Sequence, residues 1–408
     1  LINQLKCVSK IINTQQHNLY KAKKTSIEGG VILGNIVGFI EFKERVRRSL
    51  ESILSSDVVE RAKRDSHSFR SPRPGGMNIH TGIGCSNMCI YCYIYDMGFP
   101  KTVELYPLPV EGLVYALSIN PYIVPTKTLA AYGSVTEPLN SVTRDFSLKL
   151  IEYVYRYLRL PTQISTKSIL DEKIVYSLAN ADPRCSVLVT VTSIDYAKIL
   201  EPRVPSPIER IIYAGYASKH LHTSIFIRPI IPSVTDSEIV KIFKLLSEYN
   251  IKNIVIGSLR VSKNILTKLK QASPSIYNEV LYRLPREPIK KQQIAIYDKD
   301  IREKIARKAR EYQIRIYTSA CQANIDSHKE FCNMCLKGPC GDIDRWETVE
   351  ESDIAEFLEY TKTRYSRITV SRDAVYIELK DKISKDKIEY IEKFLKHSLR
   401  TIVKVKPR

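Results

Sequence analysis

No run in the 408-residue chain reaches the ~18 unbroken apolar residues expected of a membrane span. The best candidate, Val31 to Ile40, is too short and is interrupted by Gly34, Asn35 and Gly38. No secretory signal is visible at the start. Acid is scarce as well: 44 Asp and Glu stand against 63 Lys and Arg, a net charge of +19. That imbalance favours attraction to phosphate backbones, although a lysine-rich proteome produces the same balance. Cysteine is also sparse, with nine in all, yet seven of them fall in two groups. Grouped in this way they read as metal ligands in a reducing cytoplasmic setting, not as a disulfide framework. Cys7 and Cys185 stand alone and read as ordinary packed or surface residues.

The first group is Cys85, Cys89 and Cys92, in Gly84-Cys85-Ser86-Asn87-Met88-Cys89-Ile90-Tyr91-Cys92-Tyr93. Its C-x3-C-x2-C spacing offers three thiolates, whereas iron–sulfur clusters are usually held by four. Three ligands on a four-iron cubane leave one iron open to a substrate. Zinc is the alternative, but structural zinc sites are four-coordinate with paired spacings. No fourth ligand lies close by; His80, upstream on an expected strand, is the nearest. The second group is Cys321, Cys332, Cys335 and Cys340, with Asn333, Gly338, Pro339 and Gly341 supplying turns. Four thiolates suit a second iron–sulfur cluster or a tetrahedral zinc, with His328 as a substitute ligand.

The chain between these groups alternates strand and helix patterns. Strands are expected at Met77–Ile83, Thr128–Tyr132, Thr162–Thr166, Ser186–Thr192, Ser224–Ile231 and Ile254–Ile256. Thr143–Leu158 reads as a helix with Phe146, Leu150, Val154 and Leu158 on one face. Ser206-Pro207-Ile208-Glu209 and Thr235 to Glu238 read as capping boxes that start two more helices. Such alternation predicts an α/β fold, a partial (β/α)6 barrel with its chemistry at the C-terminal ends of the strands. Residues 1–75 form a basic extension in which Glu41–Ala62 looks helical. The barrel takes 76–320, the Cys-rich metal-binding segment 321–345, and a small α+β module 346–408. A strand over Gln313–Thr318 leads straight to Cys321, which places a second metal site at the barrel mouth.

The three-cysteine loop, with an aromatic before its last cysteine, resembles the signature of the radical S-adenosylmethionine (SAM) superfamily. The resemblance implies a [4Fe–4S] cluster whose open iron binds the amino and carboxylate groups of SAM and whose electron releases a 5′-deoxyadenosyl radical. Further stretches resemble spore photoproduct lyase-like members of that superfamily. They are Gly133-Ser134-Val135-Thr136-Glu137-Pro138, Ile164-Ser165-Thr166-Lys167-Ser168, Leu200-Glu201-Pro202-Arg203 with Ser206-Pro207 and Glu209-Arg210, and Arg228-Pro229-Ile230-Ile231-Pro232. Carried over by position, Tyr91 joins the cofactor site. Gly133, in the cofactor-binding turn with Ser134, allows close approach of SAM, and Thr136 or Glu137 accepts from its ammonium. Lys167 pairs with its carboxylate, Thr192 and Ser193 bond the ribose, and Arg228 holds a carboxylate or phosphate. Glu201 and Arg203 read as a structural ion pair.

One departure matters. Photoproduct-cleaving members carry a hydrogen-donating cysteine in the turn after the second strand, and no cysteine occurs here between Cys92 and Cys185. A different radical reaction, or another hydrogen donor such as a tyrosine, would be needed. The expected partners are DNA or RNA and an electron donor, with no membrane. The rival expectations are a peptide-modifying maturase with an auxiliary cluster and a non-catalytic, metal-stapled nucleic-acid-binding protein.

Overall fold

The computed structural model describes residues 35–345, 350–371 and 373–407. Cys7, the residues before Asn35 and the domain boundary at Trp346 lie outside them. Seven parallel strands make one open sheet: β1 (Met77–Ile79), β2 (Ala130–Tyr132), β3 (Thr162–Thr166), β4 (Ser186–Thr190), β5 (His222–Ile230), β6 (Asn253–Ser258) and β7 (Arg315–Tyr317). Their order across the sheet is their order along the chain. The six expected strands are thus joined by a seventh, which pairs with β6. Every position of β4 is buried, as befits a parallel strand covered on both faces.

Alternation along the strands divides the apolar side chains between two layers. Val187, Val189, Ile225, Ile227, Ile254 and Ile256 meet Leu150, Val154, Ile211 and Ile239 of the crossover helices in the main core. Leu188, Phe226, Val255 and Tyr317 face the other way and pack on Ala320 and Ala323 of the helix Ala320–Ser327. That helix therefore lies across the sheet's second face. Each fully buried Leu, Ile or Val contributes roughly 1.5–3 kcal/mol, so the crossover helices stay in place through their apolar stripes.

Several boundaries differ from expectation. The helix expected over Glu41–Ala62 is two, Ile36–Glu51 and Ser56–Arg64, because the Ser55 side chain caps the second at Val58 N. The strand expected over Met77–Ile83 divides. Only Met77–Ile79 joins the parallel sheet, while Gly82–Ile83 turns aside to pair antiparallel with Glu104–Leu105. Neither expected capping box closes. Ser206 and Thr235 make no side-chain cap bond, although helices do begin at Pro207 and Thr235.

The C-terminal module has three strands, Tyr365–Val370, Ala374–Leu379 and Ile402–Lys406, with helices Glu351–Tyr360 and Lys385–Leu399. It has its own core, which Ile36, Val37 and Phe39 also enter. Phe42, Val46 and Leu50 of the same N-terminal helix enter the main core. From residue 35 onward, the stretch expected as an extension is a bridge between two cores. Among the described residues, no helix is long and apolar enough to cross a membrane.

Candidate active site

β1 to β4 run parallel, so the turns that follow them gather at one edge of the sheet. The three-cysteine loop follows β1 there, and the backbone holds its entrance tightly. Gly84 has φ +82°, and a Cβ at that position would come within 2.1 Å of Thr102 O. Cys85 N donates to Pro100 O at 3.2 Å, and Ile90 N donates to Leu200 O at 3.0 Å. The Tyr95 hydroxyl donates to Cys85 O at 2.9 Å. Burial pushes all three thiols up, and Lys167 beside Cys89 and Cys92 acts in the opposite direction.

Glu201 anchors the charges of this edge. Its carboxylate receives a hydrogen bond from the Tyr91 hydroxyl, an ion pair from Arg210 at 2.6 Å and another from Lys167 at 3.7 Å. Burial alone would raise this carboxyl, but Arg210, Lys167 and the Tyr91 bond outweigh it and hold it below the ordinary carboxylate value. The partner is Arg210 and not Arg203, so the expected pair is corrected. The Lys167 ammonium also lies 5.7 Å from the centre of the Tyr91 ring. These contacts hold Tyr91, Lys167 and Glu201 together, with Lys167 near the Cys89 and Cys92 thiols.

The turn after β2 comes next to the loop. Gly133 has φ +97°, and a Cβ there would meet Ser165 O at 2.2 Å, so β2 and β3 close up at that point. The Tyr93 hydroxyl donates to Ser134 O at 3.1 Å, and the Glu137 amide lies against the Cys85 thiol. The Ser134 and Thr136 hydroxyls are both buried and have no hydrogen-bond partner among the described residues. Glu137 is differently placed: it accepts from the Lys167 amide at 2.8 Å, from the Thr166 hydroxyl and from Leu139 N at 3.3 Å. Its carboxylate braces the turn against β3, which leaves Thr136 as the free acceptor.

After β4, Thr192 is buried and its hydroxyl donates to Glu201 at 3.4 Å. The Ser193 hydroxyl donates to Glu238 at 3.0 Å and accepts from Tyr196 N at 2.9 Å. Glu238, expected to cap its own helix, also accepts from the amides of Ile194 and Asp195 and shapes this loop. Arg228 near the end of β5 is exposed, with its guanidinium 5.7 Å from the centre of the Phe226 ring. Together with Arg260, Arg302, Lys337, Ser258 and Ser319 it lines a cavity of about 470 Å³ that has no carboxylate in its walls. Sequence reasoning singled out only Arg228 of these. The other cations come from three separate segments, and no local pattern joins them.

The donor set fits a SAM-binding cluster. Three thiols from one loop stand beside a lysine, two orphaned hydroxyls and a turn with no Cβ in the way. Among the described residues, no group of three or more His, Cys, Asp or Glu side chains is placed to hold a single metal ion. A cubane imposes a wider spacing, since each thiolate takes its own iron. His80 is no ligand here. Its amide donates to His67 Nε2 and its ring packs on His67 and Tyr106, while burial pushes its imidazole down to about 3.

The second cysteine group lies elsewhere than expected. Cys321 comes within 3.8 Å of where a Gly75 Cβ would be, and Cys332 and Cys340 pack on Leu129. Gly75 and Leu129 precede β1 and β2, so this group sits at the edge where those strands begin, opposite the three-cysteine loop. His328 is excluded as a substitute ligand, because its Nδ1 faces Asn324 O at 2.9 Å and its Nε2 faces Asp182 at 3.0 Å. Cys185 is an ordinary buried core residue.

No protein-family model and no curated protein matches the sequence. Solved structures do match. A tyrosine-to-phenylalanine variant of spore photoproduct lyase aligns with 63% of this chain and 81% of its own, at 16% identity and a TM-score of 0.51. Spore photoproduct lyase complexed with dinucleoside spore photoproduct aligns over the same shares at 16% identity and a TM-score of 0.50. A double variant with bound AdoMet and dinucleoside spore photoproduct aligns with 70% of this chain and 96% of its own, at 15% identity and a TM-score of 0.50. In fold, this chain is similar to spore photoproduct lyase.

Proposed function

We propose that this protein is a radical SAM enzyme acting on a nucleic acid, with Cys85, Cys89 and Cys92 as the cluster ligands and a partial barrel of the radical SAM type around them. The observation that carries the reading is a pair of buried hydroxyls without partners, Ser134 and Thr136, in the turn whose Glu137 amide lies against the Cys85 thiol. When bound, the cluster supplies an electron that releases a 5′-deoxyadenosyl radical from SAM, and an external donor must restore that electron. The remaining tasks belong to the chain. Gly133 admits the amino acid end of SAM, and Thr136 and Ser134 accept from its ammonium. Lys167 faces its carboxylate, held at a fixed height by Glu201. Thr192 and Ser193 border the ribose, the former through its hydroxyl and the latter by setting the loop. Arg228 and the cations around it meet phosphate.

Support for a nucleic acid comes from the carboxylate-free cationic cavity, the net charge, and neighbours solved with a dinucleoside lesion. The absence of a cysteine between Cys92 and Cys185, and so from the turn after β2, argues that the reaction is not a copy of theirs. The test is anaerobic purification of wild type and of a Cys85/Cys89/Cys92→Ala variant, with iron analysis and EPR of the reduced proteins. The variant should lack about four irons per chain, and SAM should alter only the wild-type signal. Wild-type protein that holds zinc alone and ignores SAM would sink the proposal.

A further inference from the structure

The four cysteines of the tail have no part in that reading, yet the fold gathers them. Cys321 stands in the first turn of helix Ala320–Ser327. Cys332 and Cys340 are cross-strand partners in the short pair Phe331–Cys332 and Cys340–Gly341. Cys335 lies in the turn between them. Cys340 is within electrostatic reach of the other three. None of the four is in a disulfide. Leu129, Ile325 and Met334 wall the group, and Cys332 and Cys340 are buried. Four free thiols close enough to interact, beside an apolar cluster, offer little as packing and a full ligand set as thiolates.

The arrangement also bears on the metal. The ligands of one zinc must all lie about 2.3 Å from a single point. Among the described residues, no three such side chains converge on one point in this way. A cubane takes one thiolate at each corner iron and leaves none open.

Position indicates the role. The group touches Gly75 and Leu129 at the starts of β1 and β2, the strand ends opposite Cys85 and Gly133. The same loop grips the C-terminal module. Asn333 N donates to Arg400 O at 2.7 Å, and Arg400 pairs with Glu330 at 3.2 Å. Arg400 also donates to Lys127 O at 3.0 Å, just ahead of β2. Three separate parts of the chain therefore meet around the four sulfurs.

We propose that Cys321, Cys332, Cys335 and Cys340 hold a second, fully ligated iron–sulfur cluster that clamps the C-terminal module to the starting edge of the sheet. This stands apart from the reading of the three-cysteine loop, and one set of variants separates the two. In Cys85/Cys89/Cys92→Ala protein, about four irons and as many sulfides should remain, with an EPR signal that SAM leaves unchanged. Adding Cys335→Ser, the mildest change because Cys335 is partly exposed, should remove them.

In otherwise wild-type protein, Cys335→Ser should keep the SAM-sensitive signal. The Asn333 amide should then exchange hydrogen roughly tenfold faster, as expected when a local opening becomes easier. One zinc in place of the remaining iron overturns the cluster. Metal content indifferent to Cys335→Ser overturns the site. Metal loss with unchanged exchange at Asn333 overturns the clamp. Failure of SAM to affect wild type would count against the loop reading alone.

Discussion

Lys43 is a lysine in the wrong place by composition, buried between the N-terminal helix and the C-terminal module. Its ammonium donates to Asn120 O and to Ile123 O at 3.0 Å, and lies 6.0 Å from the centre of the Phe394 ring. Burial pushes it down to about 7 from an ordinary value of 10.5. The unfolded chain therefore binds this proton more tightly than the folded one between those two values, so stability rises with pH across that window. Urea melts at fixed ionic strength should gain roughly a few kcal/mol from pH 7 to pH 10, and Lys43→Met should flatten that rise. Equal slopes in the two proteins would contradict it. Nothing in the sequence marks this lysine, because its neighbours in space come from residues 120–123 and from Phe394. Glu201 teaches the same lesson at the site. Its nearness to Arg203 suggested a pair, but the turn of helix Pro207–Ala217 brings Arg210 instead.

At the scale of elements, the strand–helix alternation was legible, since apolar periodicity and crossover helices follow from the same residues. The turns were legible wherever glycine had to be. Gly133 belongs to that class: its positive φ and its 2.2 Å approach to Ser165 O allow no side chain. Gly133→Ala should push the turn off β3 and weaken SAM binding about tenfold or more, a loss of at least ~1.4 kcal/mol, while iron content stays at the wild-type level. Equilibrium dialysis with SAM against iron analysis on one preparation checks this, and unaltered affinity would remove Gly133 from the site. The capping boxes were misleading for a stated reason. A glutamate three residues into a helix bonds its own cap only when no other amides compete. For Glu238 the Ile194 and Asp195 amides lie closer to hand. Glu137 was likewise taken from a ligand by the amide of Lys167.

For the molecule as a whole, charge is the property that composition announced and only the fold could focus. Arg228, Arg260, Arg302 and Lys337 are spread over more than a hundred residues of chain, yet they share one cavity wall. Arg302 is already tied to Asp298 at 3.0 Å, so Arg228 and Arg260 are the freer pair. If they neutralise phosphates, Arg228→Gln with Arg260→Gln should weaken binding of a DNA oligonucleotide. It should also lower the slope of log affinity against log salt by about two. A fluorescence-anisotropy titration over a salt series reads both quantities, and an unchanged slope would place the nucleic acid elsewhere.

The seven strands enter the sheet in the order in which they are synthesised. A ribosome making about 5–20 residues per second takes on the order of ten seconds or more to travel from Cys92 to Cys321. The three-cysteine loop thus emerges early, and Glu201 and Arg210 arrive in time to enclose it while the chain is still growing. The contact of Cys321 with Gly75, and of Asn333 with Arg400, must wait until those later residues have been made. The two cysteine groups are therefore completed at different times within each nascent chain, the three-cysteine loop first and the opposite edge later.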